Sequence, residues 1–131
     1  MQIVGRDILA EFIFWLHFVI VLFWFGLFLV PSGLWAAKIP FHFFITVVIA
    51  GHQFIWGAVI LPWAKRYRMV CILTTLTHIL RGQKISDPKN YTHSFTVGFI
   101  KRFGLNVSNR VSTLFTCAAL IWISLQYFVF R

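Results

Sequence analysis

The sequence predicts an all-α membrane protein: three transmembrane helices with two short interfacial helices in a basic cytoplasmic loop. Three observations predict it. The run from Ile8 to Val30, ILAEFIFWLHFVIVLFWFGLFLV, carries one acid, one histidine and no base. At ~1.5 Å per residue it reaches about 35 Å, enough to cross a hydrocarbon core of roughly 30 Å with some tilt. Charged residues make up 11% of the chain and hydrophobic ones 60%, whereas a water-soluble domain carries about a quarter charged residues. Finally, nine of the twelve lysines and arginines fall between Ala64 and Arg110, opposed there by Asp87 alone. That asymmetry marks a loop kept on the cytoplasmic side.

With 131 residues the chain makes one membrane unit, residues 1–131, with spans near 8–30, 41–63 and 111–130 and a basic segment over 64–110. Three spans are too few to enclose a wide pore, so contact with other membrane subunits or self-association is expected. The net charge of +9 points, in a membrane chain, to an anionic lipid surface and not to nucleic acid.

The elements follow in order. Asp7 and Glu11 share a face at the start of the first helix, where the helix dipole favours carboxylates near the headgroups; the functional alternative is a proton site at the membrane edge. The first span ends at Val30-Pro31-Ser32-Gly33 without a small-x-small cleavage site, so it reads as a retained span and not a signal peptide. Lys38 and Pro40 bracket a short return, and the second span runs from Phe41 to Trp63, with Trp35 and Trp63 at the two interfaces. Thr46, Ala50 and Gly57 allow close approach of another helix.

Met69 to Leu80 is apolar but twelve residues long, too short to span, and reads as an interfacial or re-entrant helix. Gly82 to Asn90 is a turn-rich loop around Asp87-Pro88. Phe95 to Phe103 mixes aromatics with Lys101 and Arg102 as a second surface-lying helix, ended by Gly104. In the last span, Val111 to Phe130, Ser112, Thr116 and Ala119 share one face as a packing seam, and Tyr127 suits the far interface. Placing the basic loop inside puts the N-terminus inside and the Ser32–Lys38 turn and the C-terminus outside, with Lys38 and Arg131 as minor exceptions. Asn90-Tyr91-Thr92 and Asn106-Val107-Ser108 match the glycosylation pattern but are inert on a cytoplasmic loop.

The residues that carry chemistry are few. His17 and His52 lie near the middle of adjacent antiparallel spans at similar depth, and an intramembrane ionisable residue is a functional hypothesis by default. Two such imidazoles suit haem b, with His42 as an alternative partner for His17. The bland alternative is a neutral imidazole bonding across helices to Gln53 or Thr46. His42, His78 and His93 sit at or near interfaces. No HxxxH or HxE spacing supports zinc, no nucleophile is paired with a base, and Cys71 and Cys117 lack CxxC spacing and sit too differently for a disulfide. Catalysis therefore has weak support. Lys65, Arg66, Arg68, Lys101 and Arg102 suit anionic headgroups at about 1 kcal/mol each near the surface, although bases there also serve topology.

Leu16-His17 followed by Phe18, Val19, Val21, Leu22, Phe23 and Gly26 resembles the first helix of a group of small bacterial membrane proteins, domain-of-unknown-function family 2784. That family's second helix opens with a histidine, matched by His42. Its Cys-Pro-Leu-Thr-x-x-Glu element is similar to Cys71-Ile72-Leu73-Thr74-Thr75-Leu76-Thr77, continuing to Leu80-Arg81. Phe99-Ile100 and Gly104-Leu105 also fit. The family's proline is Ile72 here and its glutamate Thr77, and His42 lies farther from Cys71. The resemblance covers nearly the whole chain. It implies a small inner-membrane architecture and leaves activity open.

Three functions follow as expectations. The first is a non-catalytic accessory subunit packed against a larger membrane complex. The second is a haem-binding or redox protein using His17 with His52 or His42. The third is an anionic-lipid-binding protein using the basic segment.

Overall fold

The computed structural model describes residues 2–92 and 94–130. Six α-helices follow one another: α1 Gln2–Leu29, α2 Lys38–Val59, α3 Leu61–Ala64, α4 Ile72–Leu80, α5 Phe95–Arg102 and α6 Asn109–Phe128, with a 3₁₀ turn over Pro88–Tyr91 between α4 and α5. No strand occurs among the described residues. Three stretches, Ile3–Leu29, Lys38–Val59 and Asn109–Phe128, are long and apolar enough to cross a membrane. The protein is an all-helical membrane protein.

The helix boundaries depart from the predicted ones for local reasons. Helix α2 begins at Lys38, so Pro40 sits in its first turn, where a missing N–H breaks no intrahelical bond. The far end was predicted at Trp63, but α2 stops at Val59. Pro62 has no amide to offer the Ala58 carbonyl, so the helix breaks, and Trp63 falls in the separate turn α3.

The contacts gather into two compact units: Met1–Ile20 with Ala50–His93, and Val21–Ile49 with Ser94–Arg131. The first contains the start of α1, the end of α2, α3 and α4. The second contains the end of α1, the start of α2, α5 and α6.

The second unit is packed mainly by rings. Phe43 stacks on Tyr127 at 4.1 Å and meets Phe128 edge-on at 5.3 Å. Phe25 faces Phe115 at 5.8 Å, and Trp35 lies on Phe41 at 4.9 Å. The Trp24 indole N–H donates to the Thr46 hydroxyl at 2.8 Å, which donates in turn to the His42 carbonyl at 2.7 Å. On α6 the buried residues are Ala119 and Ile123. Thr116, predicted in the same seam, is exposed and returns its hydroxyl to the Ser112 carbonyl at 2.9 Å.

Helix α5 is capped by Ser94, whose side chain accepts the Val97 amide at 3.3 Å. It buries Val97 and lines up Phe95, Phe99 and Phe103 at ring separations of 6.2 and 4.9 Å. Gly104, at φ +82°, ends the helix as predicted. Its left-handed turn lets the Leu105 amide reach back to the Ile100 carbonyl at 3.3 Å.

Candidate functional site

The polar chemistry of the first unit collects where the chain leaves α3. Lys65 adopts a left-handed conformation (φ 58°) and reverses the chain direction. Residues 66–71 then run without helix or strand back along α2. The Tyr67 hydroxyl donates to the Phe54 carbonyl at 3.1 Å. The Arg68 carbonyl crosses Gly57 so closely that a Cβ there would lie 2.2 Å from it. Gly57, read from sequence as a helix-contact residue, instead admits this backbone leg.

The leg ends at His52. The Ile72 amide donates to His52 Nε2 at 3.3 Å, which puts the imidazole proton on Nδ1. Helix α4 starts there, with Cys71 as its N-terminal cap residue. Its first turns are tied to both neighbouring helices. Thr74 Oγ1 lies 3.5 Å from His17 Nδ1, and the Trp56 indole donates to Thr75 Oγ1 at 3.0 Å. The other end of α4 meets the start of α1. Arg81 pairs with Glu11 at 2.8 Å, and Arg6 donates to the Ile79 carbonyl at 3.0 Å. Glu11 and His17 are six residues apart, about 9 Å along a helix. Helix α4 therefore stands alongside α1 with its N-terminal end at the histidines.

The structure brings His17 and His52 together around α4. His17 meets Thr74 and His52 accepts the Ile72 amide; of the two residues named from sequence, Gln53 is half-buried and Thr46 belongs with Trp24. The motif-like residues take structural positions. The Leu73 carbonyl accepts the Thr77 hydroxyl at 2.9 Å. Burial pushes the Cys71 thiol up, opposed by the Leu73 and Thr74 amides. His42 belongs to the second unit, 1% exposed, between Trp24 and Phe28 at ring separations of 5.7 and 4.7 Å. His78 bonds Gln83. His93 and Arg131 lie outside the described residues.

In the first unit Lys65 and Arg66 are exposed, while the half-buried Arg68 holds its guanidinium over the Tyr91 ring at 5.0 Å. In the second unit Lys101 and Arg102 are exposed in the last turn of α5. Asn90, which begins one glycosylation pattern, is buried and its side-chain amide donates to the Lys84 carbonyl at 2.7 Å. Among the described residues, no group of three histidines, cysteines or acids is placed to hold a metal ion.

Sequence reasoning missed Trp56, Thr75 and Arg81 as members of this site. Trp56 lies one helical turn beyond His52, a signal that was available. Arg81 and Glu11 are seventy residues apart and share no local pattern. Chemically, the site supplies hydrogen-bond partners to backbone that has left the helix, the requirement of any non-helical segment held away from water. It does not suit two-point haem ligation by His17 and His52, because the acceptor nitrogen of His52 is already held by Ile72.

No family model matches the chain, and no curated protein or solved structure matches it either.

Proposed function

We propose that this chain is a non-catalytic accessory subunit packed against a larger complex in a bacterial inner membrane, its N-terminus cytoplasmic. One observation carries the reading: the most apolar windows of the three spans bury only 11%, 11% and 6% of their residues within the chain itself. The uncovered surface is aromatic as well as aliphatic, with Phe12, Phe54, Phe115 and Trp122 all more than two-fifths exposed. Rigid rings offer large contact area at low entropic cost. Trp122 also places an indole N–H well inside α6, where lipid tails offer no acceptor and a neighbouring helix does. An open groove of about 330 Å³ along α6, lined by Leu120, Ile121, Ser124, Leu125 and Phe128, lies on the same helix.

The loop belongs to the same proposal. Lys65 to Leu80 forms a re-entrant hairpin, an extended leg followed by α4, while α5 lies on the membrane surface with its phenylalanines toward lipid. The hydrogen bonds of the leg and of α4 to His52, His17 and Trp56 support the re-entrant placement, since such backbone persists at depth only when covered by protein. Kinship with family 2784 rests on the Leu16-His17 and Cys71–Thr77 elements.

Native mass spectrometry of the chain released gently from its own membrane tests the reading. The expected result is an assembly that resolves into other polypeptides in fixed ratio. A monomer, or an assembly of this chain alone, refutes it.

A second reading, anionic-lipid binding, is favoured by the exposure of Lys65, Arg66, Lys101 and Arg102, with Asp87 committed to the Lys89 amide at 3.0 Å. Neutralising Arg66, Lys101 and Arg102 together is expected to lower the anionic lipid retained during purification. Unchanged retention removes this reading.

A further inference from the structure

We infer that His52 is an acid-sensitive latch. Its neutral ring holds the junction between the Arg66–Cys71 leg and α4 against α2, and protonation of the ring releases that junction. The latch does not depend on what the chain assembles with.

The kind of bond decides this. The Ile72 amide donates to His52 Nε2 at 3.3 Å. A backbone N–H can only donate, so the bond exists only while Nε2 keeps its lone pair. Once the ring takes up a proton, both of its nitrogens are donors, and an N–H then faces an N–H. Ile72 is also the first residue of α4, so the positive end of that nine-residue helix adds to the repulsion of a cationic ring.

His17 provides the contrast. Its Nδ1 lies 3.5 Å from the Thr74 hydroxyl, a group that can donate or accept. Thr74 can therefore turn to suit either state of His17, whereas the Ile72 amide cannot. Of the two histidines around α4, only His52 carries the latch.

The other ionisable groups on the surrounding elements leave an imidazolium at His52 without a counter-charge. On α2 itself these are Lys38 and His42, both in the second unit. From α1 come the acids Asp7 and Glu11, and Glu11 is paired with Arg81 at the far end of α4. The leg brings exposed Arg66, Tyr67 bonded to the Phe54 carbonyl, Arg68 over the Tyr91 ring, and Cys71, whose thiol burial keeps protonated. Helix α4 adds His78, bonded to Gln83.

Opening is local. The far end of α4 stays tied through Arg81 to Glu11 and through Arg6 to the Ile79 carbonyl, and neither bond involves His52. The junction therefore swings about that end and uncovers Cys71. It is closed while the ring is neutral and opens as pH falls through the titration of His52.

The test follows the full chain, ¹⁵N-labelled and in lipid nanodiscs, from pH 8 to pH 5. The ring nitrogens of His52, assigned through its backbone, report protonation. Exchange of the Ile72 amide, corrected for the intrinsic pH dependence of exchange, reports the junction. Ring protonation is expected to lower Ile72 protection about tenfold, as for the loss of one hydrogen bond, with one midpoint for both signals. The Gly82 amide, bonded to the Ile79 carbonyl at 2.9 Å, is expected to keep its protection. In His52→Gln the side-chain oxygen still accepts but does not titrate, so Ile72 stays protected at pH 5. His17→Gln keeps the response of the parent chain. A His52 ring still neutral at pH 5 overturns the latch. So does a protonated ring with Ile72 protection unchanged, or a fall in protection that His52→Gln shares. If His52→Gln fails to fold, the parent chain decides alone: midpoints that differ between ring and amide overturn the latch, and a shared midpoint upholds it.

Discussion

The two units of this chain solve the same problem with different chemistry. In the unit of Met1–Ile20 and Ala50–His93, helices and backbone are tied by side-chain hydrogen bonds and an ion pair: His52 to Ile72, His17 to Thr74, Trp56 to Thr75 and Arg81 to Glu11. In the unit of Val21–Ile49 and Ser94–Arg131, aromatic faces supply most of the contacts named, and Trp24 to Thr46 is a partly buried side-chain bond that joins two helices. The difference follows the backbone. An unbroken helix satisfies its own N–H and C=O groups and needs only shape from its neighbours. Where the chain leaves the helix, at Lys65 to Cys71, amides and carbonyls need partners, and the polar side chains gather there.

Gly57→Ala is the strongest way to break this comparison. A methyl placed 2.2 Å from the Arg68 carbonyl meets backbone, which has no rotamer to change. The expected loss is about 3 kcal/mol in a reversible detergent-unfolding titration, at the upper end of overpacking effects. Stability within experimental error of the parent chain would mean that the leg does not lie on α2. His52→Leu comes next. It keeps apolar volume but orphans the Ile72 amide, for an expected loss of about 2 kcal/mol, checked by the same titration.

The aromatic unit is sharpened by Phe43→Leu. Removing one ring of the stack at 4.1 Å is expected to cost about 1 kcal/mol beyond the lost area. A double-mutant cycle with Tyr127→Leu measures that coupling, and a coupling of zero would show that stacking adds nothing there. Glu11→Gln should matter least in energy. Its partner is 34% exposed and it is 44% exposed itself, so the expected loss is about 0.5 kcal/mol and shrinks as salt is added.

Cys71 reports on the polar unit without an unfolding experiment. Burial holds its thiol above the ordinary value, so the reactive thiolate is scarce at neutral pH and grows as pH rises. Maleimide labelling is expected to be slow at pH 7, to accelerate towards alkaline pH, and to be faster at every pH in Gly57→Ala. A rate at pH 7 equal to that of a free thiol would contradict the burial of the α4 cap.

Much of the first level of structure was legible in residues alone. The Ile8–Val30 run, the break at Pro31-Ser32-Gly33, the shortness of Met69–Leu80 and the glycine stop at Gly104 are local signals, because hydropathy, missing amides and left-handed turns act within a few residues. His17 and His52 were legible as a pair for a similar reason: helical rise sets their depth. Their partners were not. Thr74 and the Ile72 amide reach the histidines only because Lys65 reverses the chain and Gly57 admits the leg, and neither event has a periodic signature.

The sequence by itself therefore determined that this is a helical membrane protein with three candidate spans, and that most of its bases lie between the second and third. Those properties are sums over neighbouring residues. Tertiary structure alone decided that α4 stands with its N-terminal end at the two histidines, that Arg81 finds Glu11, and that the Ile72 amide meets His52. Those depend on which distant segments meet, and burial and pairing acquire meaning only after they have met.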